Sequence, residues 1–391
     1  MMSTKQRLIL QIVLVEIVAV SLLAVIHFMP GIIPHRGLLP ASTPQNNQPG
    51  TPPPAVGEKG DQVQPSMEEI EVNDTLTMSL VGDIMLASGV GEAINKNGPD
   101  YPWLQVRNVL LDDDVSIGNL ECAVGQDKHK AVPDKQYTFI ASPRALAGAR
   151  EAGMDVLTLA NNHILDFGTG ALQETLAWLD NYKFHYTGAG NNAGEAFKPV
   201  IIKKDGINVG ILAFTYVFPQ GWWVAGEKRP GVASGYDYAL VKETVRKVSS
   251  QTDFTVISLH WGEELAEKPS EKQVKLAHDL VNWGADLIYG HHPHVLQGLE
   301  LYEGKIIAYS VGNFIFTLSR DLQGRQSVIL QVDLNNGGIT GARVIPTWIE
   351  YGQTNIATEK KASAVIKRLQ SLSQSFGTEI NDNGEILFKR V

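Results

Sequence analysis

Cysteine is almost missing from this 391-residue chain: Cys122 stands alone. An intramolecular disulfide is therefore excluded, and stability must come from the core. That scarcity fits an exported protein and a cytosolic one equally well. Positive charge is also short, with 33 Lys and Arg against 42 Asp and Glu and a net charge of −9. No basic field invites DNA or RNA, so nucleic acid is not expected as a partner. The same acidity repels a polyanionic ligand unless a metal ion or a local basic patch intervenes. No internal repeat is discernible. Apolar material is ample, at 43% hydrophobic against 19% charged. That is a globular profile, at a length suited to one large α/β domain with appendages.

The N-terminus carries a topological signal. Lys5 and Arg7 precede an apolar run from Leu8 to Met29, interrupted by Gln11, Glu16, Ser21 and His27. A run of that length can cross a hydrocarbon core as a helix, and the preceding cations set the N-terminus in the cytoplasm. The run ends on Ile26, His27, Phe28 and Met29, without a small-x-small cleavage pattern. An uncleaved anchor is the expectation; a cleaved signal peptide and a buried helix are the alternatives. Glu16 is costly in a membrane and is either protonated or facing a partner helix. Residues 30–66 are rich in Pro, Gly, Asn and Gln, with prolines at 52, 53 and 54, and read as a tether. The expected division is therefore a cytoplasmic stub and transmembrane anchor over 1–29, a linker over 30–66, the main domain over 67–350, and a C-terminal helix and tail over 351–391. The expected location is the cell membrane, single-pass, with the main domain extracellular.

From Leu76 onward one architecture recurs: an apolar strand, a polar cluster at its C-terminal end, then an amphipathic helix. Strands are predicted at 76–83, 115–118, 155–160, 254–259 and 286–290, and helices at 145–152, 170–181, 238–249 and 271–283. The C-terminal third is richer in strands, at 306–310, 327–332 and 342–346. Asn335-Asn336-Gly337-Gly338 forms a hairpin turn there, and an amphipathic helix is predicted over 360–372. Strands alternating with helices imply an α/β sheet, whose ligand site lies off the carboxyl ends of the strands.

The polar clusters sit at those ends. Asp83, Asn119, Glu121, Asn162, His163, His260, Glu264, His292 and His294 are disposed to converge, and a divalent metal requires such donors from distant segments. Of ten histidines, five (His163, His260, His291, His292 and His294) fall at three strand ends. Singly, each has a plainer reading. Asp83 and Asp166 both suit helix N-caps, and Asn162-His163 suits a turn with a satisfied core histidine. Gly290-His291-His292-Pro293-His294 is more telling, because imidazoles so densely set are seldom structural. Trp222-Trp223, near Phe218, suits either an exposed contact surface or a packed hinge.

These strings carry a resemblance. Val81-Gly82-Asp83-Ile84-Met85, Gly118-Asn119-Leu120-Glu121, Ala160 to Asp166, His260-Trp261-Gly262-Glu263-Glu264, Gly290 to Val295 and Tyr309 to Phe314 span roughly residues 76–318. Together they resemble the calcineurin-like metallophosphoesterases, and more closely the capsule (poly-γ-glutamate) biosynthesis branch of CapA/PgsA type. The resemblance implies an α/β/β/α sandwich holding one or two divalent ions (Mn, Zn, Fe or Mg). Asp83, Asn119, Glu121, Asn162, His260, His292 and His294 would be the ligands. His163 would act as the proton donor, oriented by Asp166, and Glu264, His291 and Asn313 would line the rim. Two departures stand out. Met85 occupies the place of a histidine, and Asn119 that of a bridging aspartate, so two-metal hydrolysis, with ions about 3.5–4 Å apart, is in doubt. Three functions follow from the resemblance. One is an accessory subunit for synthesis or export of an anionic polymer, working with polyglutamate synthase and export subunits in the membrane. The others are a metal-dependent hydrolase of envelope material and a structural surface protein with a vestigial site.

Overall fold

The computed structural model describes residues 75–388 apart from 127 and 318–320. The expected anchor, the tether and Glu16 lie outside the described residues. Among those described, no helix is long and apolar enough to cross a membrane.

The described residues lay down two large sheets in three passes, beside three two-stranded ribbons. The first four long-range strands, β1 (Leu76–Ile84), β2 (Val115–Leu120), β3 (Val156–Thr158) and β4 (His185–Thr187), belong to sheet one. The next six make sheet two: β5 (Val200–Lys204), β6 (Ile207–Thr215), β7 (Phe254–His260), β8 (Leu287–His291), β9 (Leu299–Tyr302) and β10 (Lys305–Ala308). Four further strands, β11 (Asn313–Ile315), β12 (Gln326–Asn335), β13 (Gly338–Glu350) and β14 (Gln353–Ile356), return to sheet one. Sheet one runs β14-β13-β12-β1-β2-β3-β4, with β11 pairing β1, and sheet two runs β9-β10-β8-β7-β6-β5. The β1-β2-β3-β4 and β6-β7-β8 pairings are parallel, which brings their carboxyl ends to one edge of each sheet.

Three apolar layers make this an α/β/β/α sandwich. Between the sheets, Leu76, Met78, Leu80 and Ile117 meet Val209, Ile211, Val256 and Leu287. Outside sheet one, Val81, Ile84 and Leu157 pack with Leu146 of α1 (Ala145–Glu151) and Leu172 and Leu176 of α2 (Gly168–Asn181). Outside sheet two, Leu212, Ile257 and Leu259 pack with Val241 and Val245 of α3 (Tyr238–Ser249) and Leu280 of α4 (Glu271–Asn282). The C-terminal helix α5 (Glu359–Ser373) contributes Val365, Ile366 and Leu369 to the inter-sheet layer.

The period of two along each strand decides which polar residues face inward. On β7, Phe254 and Val256 join the inner layer while Ile257 and Leu259 join the outer; the same alternation turns His260 inward. On β2 it turns Asn119 inward after Val115 and Ile117, and on β8 it turns His291 inward after Leu287 and Tyr289. Gly82 is needed where β1 meets the segment entering β11, because a Cβ there would sit 1.9 Å from the Gly312 carbonyl oxygen.

Candidate metal centre

Asp83 is fully buried at the end of β1. It does not cap the next helix, Ser88–Asn97, which begins after Ala87 without a side-chain cap. Its Oδ1 accepts from Asn119 Nδ2 at 2.8 Å, and its Oδ2 accepts from the His292 backbone N–H at 3.3 Å. His291 Nδ1 lies 3.0 Å from Oδ1 and His294 Nδ1 lies 3.4 Å from Oδ2. Burial pushes this carboxyl upward, but the two imidazoles overcome it and hold the group well below its usual range.

Glu121 lies opposite, also fully buried, 3.6 Å from His260 Nε2 and 3.8 Å from His294 Nε2 through its Oε1. Neither of its oxygens has a hydrogen-bond partner. Burial, and next the Asp83 charge, drives its carboxyl well above the usual range. Burial would push His294 down, yet Glu121 and Asp83 raise it to about 10. His292 is lowered to about 3 by burial and by His294, and His260 well below its usual value by burial and by His292. The two acidic groups thus favour the charged form of His294, while burial and the neighbouring imidazoles favour the neutral forms of His292 and His260.

Backbone strain presents these imidazoles. His292 and His294 have φ of 92° and 58°, on either side of Pro293. Such conformations cost roughly 1–3 kcal/mol each and persist where the surroundings impose them. Asn313 helps to impose this one. Its Nδ2 donates to the carbonyls of His294 and Gly324 at 3.2 and 3.1 Å, so its Oδ1 accepts from His294 Nδ1 at 2.8 Å. That fixes the proton on Nδ1 and frees Nε2 for a ligand when the ring is neutral.

The donors fit a cation. Glu121, His292 and His294 bring ligand atoms within 4.8 Å of one another. Both Glu121 oxygens and His292 Nδ1 are buried without partners, a state that proteins seldom tolerate unless something else binds there. His260 and Asn162 close the other side, with His260 Nε2 2.9 Å from Asn162 Oδ1. A cation held by these two would replace that hydrogen bond.

Several expectations change. Asn119 was expected to coordinate through oxygen, but a chain of hydrogen bonds turns it the other way. Asn161 Oδ1 accepts from the backbone N–H groups of His163 and Ile164 at 3.0 and 2.9 Å. Asn161 Nδ2 must therefore donate, and does so to Asn119 Oδ1 at 3.0 Å and to the Leu120 carbonyl at 2.7 Å. Asn119 is left with its Nδ2 facing Asp83 and His260, as a donor that orients rather than a ligand. Asn313 and His291 were expected on the rim, yet Asn313 is 2% exposed and His291 fully buried, Asn313 bonding to His294 and the Gly324 carbonyl and His291 facing Asp83. His291 Nδ1 meets the Asp83 carboxylate, whereas its Nε2 has no hydrogen-bond partner. Glu264 is exposed, and its charge reaches Glu121 and Lys135. Met85 is buried in the outer core of sheet one.

Asp166 does not cap α2, whose N-cap is Phe167 with no side-chain bond. Instead its Oδ2 lies 2.7 Å from His163 Nδ1 and accepts from the Phe139 N–H at 2.8 Å. Lys135, which no sequence pattern singles out, completes this corner. Its Nζ pairs with Asp166, donates to the Asn162 carbonyl, lies 3.0 Å from His163 Nδ1 and sits over the Trp223 ring. Burial lowers the Lys135 ammonium against the pull of Asp166, and burial likewise lowers His163. Trp223 is fully buried and Trp222 38% exposed, so the adjacent pair divides between packing and surface.

Residues 77–318 match the family described as bacterial capsule synthesis protein PGA_cap. The chain is 35% identical over 291 residues to the capsule biosynthesis protein CapA of Bacillus anthracis, covering 73% of this chain and 70% of that protein. It is 30% identical over 321 residues to the PGA biosynthesis protein CapA of Bacillus subtilis (strain 168), covering 81% and 83%. Over 350 residues it is 24% identical to a probable polyglutamine synthesis accessory protein of Mycobacterium tuberculosis (strain CDC 1551 / Oshkosh), covering 83% and 90%.

Proposed function

The chain belongs to the bacterial capsule synthesis protein family, and from that premise we propose that it is a metal-binding accessory subunit in the synthesis or export of a poly-γ-glutamate capsule. Its relatives' names support the polymer and the accessory role. The observation that carries the metal reading is the Glu121 carboxylate, fully buried among imidazoles with no hydrogen-bond partner. Asp83, Glu121, His292 and His294 would hold the ion, with His260 and Asn162 on the far side. Mixed imidazole and carboxylate donors suit Zn, Mn or Fe better than Mg. A divalent ion bound there supplies charge for polymer carboxylates and Lewis acidity toward a carbonyl or phosphoryl oxygen. Asn119, Asn161 and Asn313 orient the ligands. The apolar run over 8–29 would anchor the chain beside the polymer-forming subunits, with the main domain outside the cell. Deleting residues 1–29 is expected to release the chain from the membrane fraction; retention there would sink the anchor.

A second reading, a metal-dependent hydrolase of envelope material, is favoured by one feature. His163 Nδ1 is held by Asp166 beside Asn162, which leaves Nε2 free to exchange a proton with a bound molecule. The vestigial-site reading is disfavoured by the partnerless buried donors, whose cost has no return without a ligand.

The test is the metal content of the full-length chain in detergent, beside a His292→Ala, His294→Ala double variant. Hydrolysis of γ-polyglutamate and of a phosphodiester is assayed in the same tubes. Stoichiometric metal lost in the variant, without turnover, is the expected result. Metal with turnover would establish the hydrolase, and no metal in either protein would overturn the metal reading.

A further inference from the structure

The two oxygens of Asp83 are used differently by their neighbours. Oδ1 faces two side-chain donors, Asn119 Nδ2 at 2.8 Å and His291 Nδ1 at 3.0 Å. Oδ2 meets the His292 backbone N–H at 3.3 Å and His294 Nδ1 at 3.4 Å. The His294 Nδ1 proton is already directed to Asn313 Oδ1 at 2.8 Å. An ionised carboxylate only accepts, with about four lone-pair sites over its two oxygens. Oδ1 is therefore filled, and Oδ2 keeps room for an ion.

The second donor on Oδ1 comes from across the inter-sheet space. Asp83 belongs to the end of β1 in sheet one, whereas His291 ends β8 in sheet two, beside His260 of β7. The Tyr289 ring meets the His291 imidazole edge to face, with centroids 4.7 Å apart, and so fixes the plane of the ring. Nδ1 thereby reaches Asp83, while Nε2 is buried without a partner. A leucine would fill this place without leaving a nitrogen unsatisfied, so the fold loses free energy by keeping an imidazole there. The return lies in what Nδ1 does. His291 also stands outside the ligand atoms that gather at Glu121, His292 and His294.

We propose that His291 is a positioning residue of the metal centre: with Asn119 it holds Oδ1 of Asp83, so that Oδ2 alone is turned toward the ion. The assignment rests on the metal reading above. Partners that hold a ligand from behind fix its orientation, and their loss changes metal affinity by roughly 10–100-fold.

The test separates a donor from a filler of space. Zn²⁺ is titrated into the metal-stripped full-length chain in detergent, against a competing chelator. His291→Leu roughly keeps the volume and loses the donor. His291→Asn loses volume and keeps an amide N–H in the place of Nδ1. The leucine variant is expected to bind Zn²⁺ about 30-fold more weakly than the parent, and the asparagine variant within about threefold of it. Metal-free Tm is expected to rank the other way, with leucine at or above asparagine. A packing role gives a different result, because affinity then follows volume and leucine binds at least as well as asparagine. With Zn²⁺ on the parent, a gap between the two variants of less than about tenfold, or one in leucine's favour, overturns the role of His291 and leaves the metal centre standing. No Zn²⁺ on the parent overturns the metal reading itself, and the role of His291 with it.

Discussion

Two corners of the same centre are built from similar residues and behave oppositely. In the corner of Asn119, Asn161, His163, Asp166 and Lys135, polar side chains bond to one another and to backbone groups. In the corner of Glu121 and His292, the carboxylate oxygens and the ring Nδ1 are buried without partners. Buried polar groups are normally paired, so the first corner reads as framework and the second as an invitation to a ligand. Residue type alone did not separate them; the direction of the hydrogen bonds did.

The contrast can be broken most forcefully through Asn161. Its side chain makes four hydrogen bonds, two to backbone N–H groups, one to a carbonyl and one to Asn119. Asn161→Ala is expected to cost about 4 kcal/mol in urea unfolding without metal, at roughly 1 kcal/mol for each of the four buried bonds. A loss under 1 kcal/mol would mean that this corner is not the framework. Glu121→Gln tests the other corner. Metal affinity should fall about 100-fold, equivalent to about 2.7 kcal/mol, while the metal-free variant is no less stable than the parent. A clear loss of metal-free stability would show that Glu121 has a structural partner after all.

The smallest effect sharpens the framework side at its edge, where Glu174 of α2 holds the loop leading to Lys135. Glu174 accepts from His129 Nε2 at 2.6 Å, Lys128 Nζ at 3.0 Å and Trp178 Nε1 at 3.3 Å. Burial opposes ionisation, but these donors bring the carboxyl from 4.5 down to about 2. A depressed acid stabilises the fold above its unfolded value and loses that contribution as pH falls through the folded one. Parent and Glu174→Gln should therefore differ by about 0.5 kcal/mol above pH 4.5. The difference should close as pH approaches 2. A difference that holds constant across the window would remove this clamp.

Much of this was legible. Strand-end clusters are visible in a sequence because alternation and chain punctuation are local, and Asp83, His260 and His291 stand at strand ends in the sandwich as the pattern implies. The amide direction of Asn119 was not legible, because it depends on Asn161 and, through it, on two backbone groups of the following turn. Lys135 was invisible for another reason: it lies in a polar, aperiodic stretch that resembles any solvated loop. The hairpin of β5 and β6 carried a readable sign in Asp205-Gly206, both at positive φ.

The three-pass layout of the sheets has a consequence for the order of assembly. β1 is central in sheet one, yet its antiparallel neighbour β12 is encoded near the other end of the domain, with Leu76 paired to Leu334. Asp83 likewise waits for Asn313 beside it. In vectorial synthesis β1 emerges early and spends most of translation without that neighbour. A nascent chain halted before residue 313 would hold Asp83, Glu121, His260 and His292 and still lack the β11 strand that sets His294. The centre is therefore complete only once β11 is in place, and on the proposed metal reading loading would mark a completed chain.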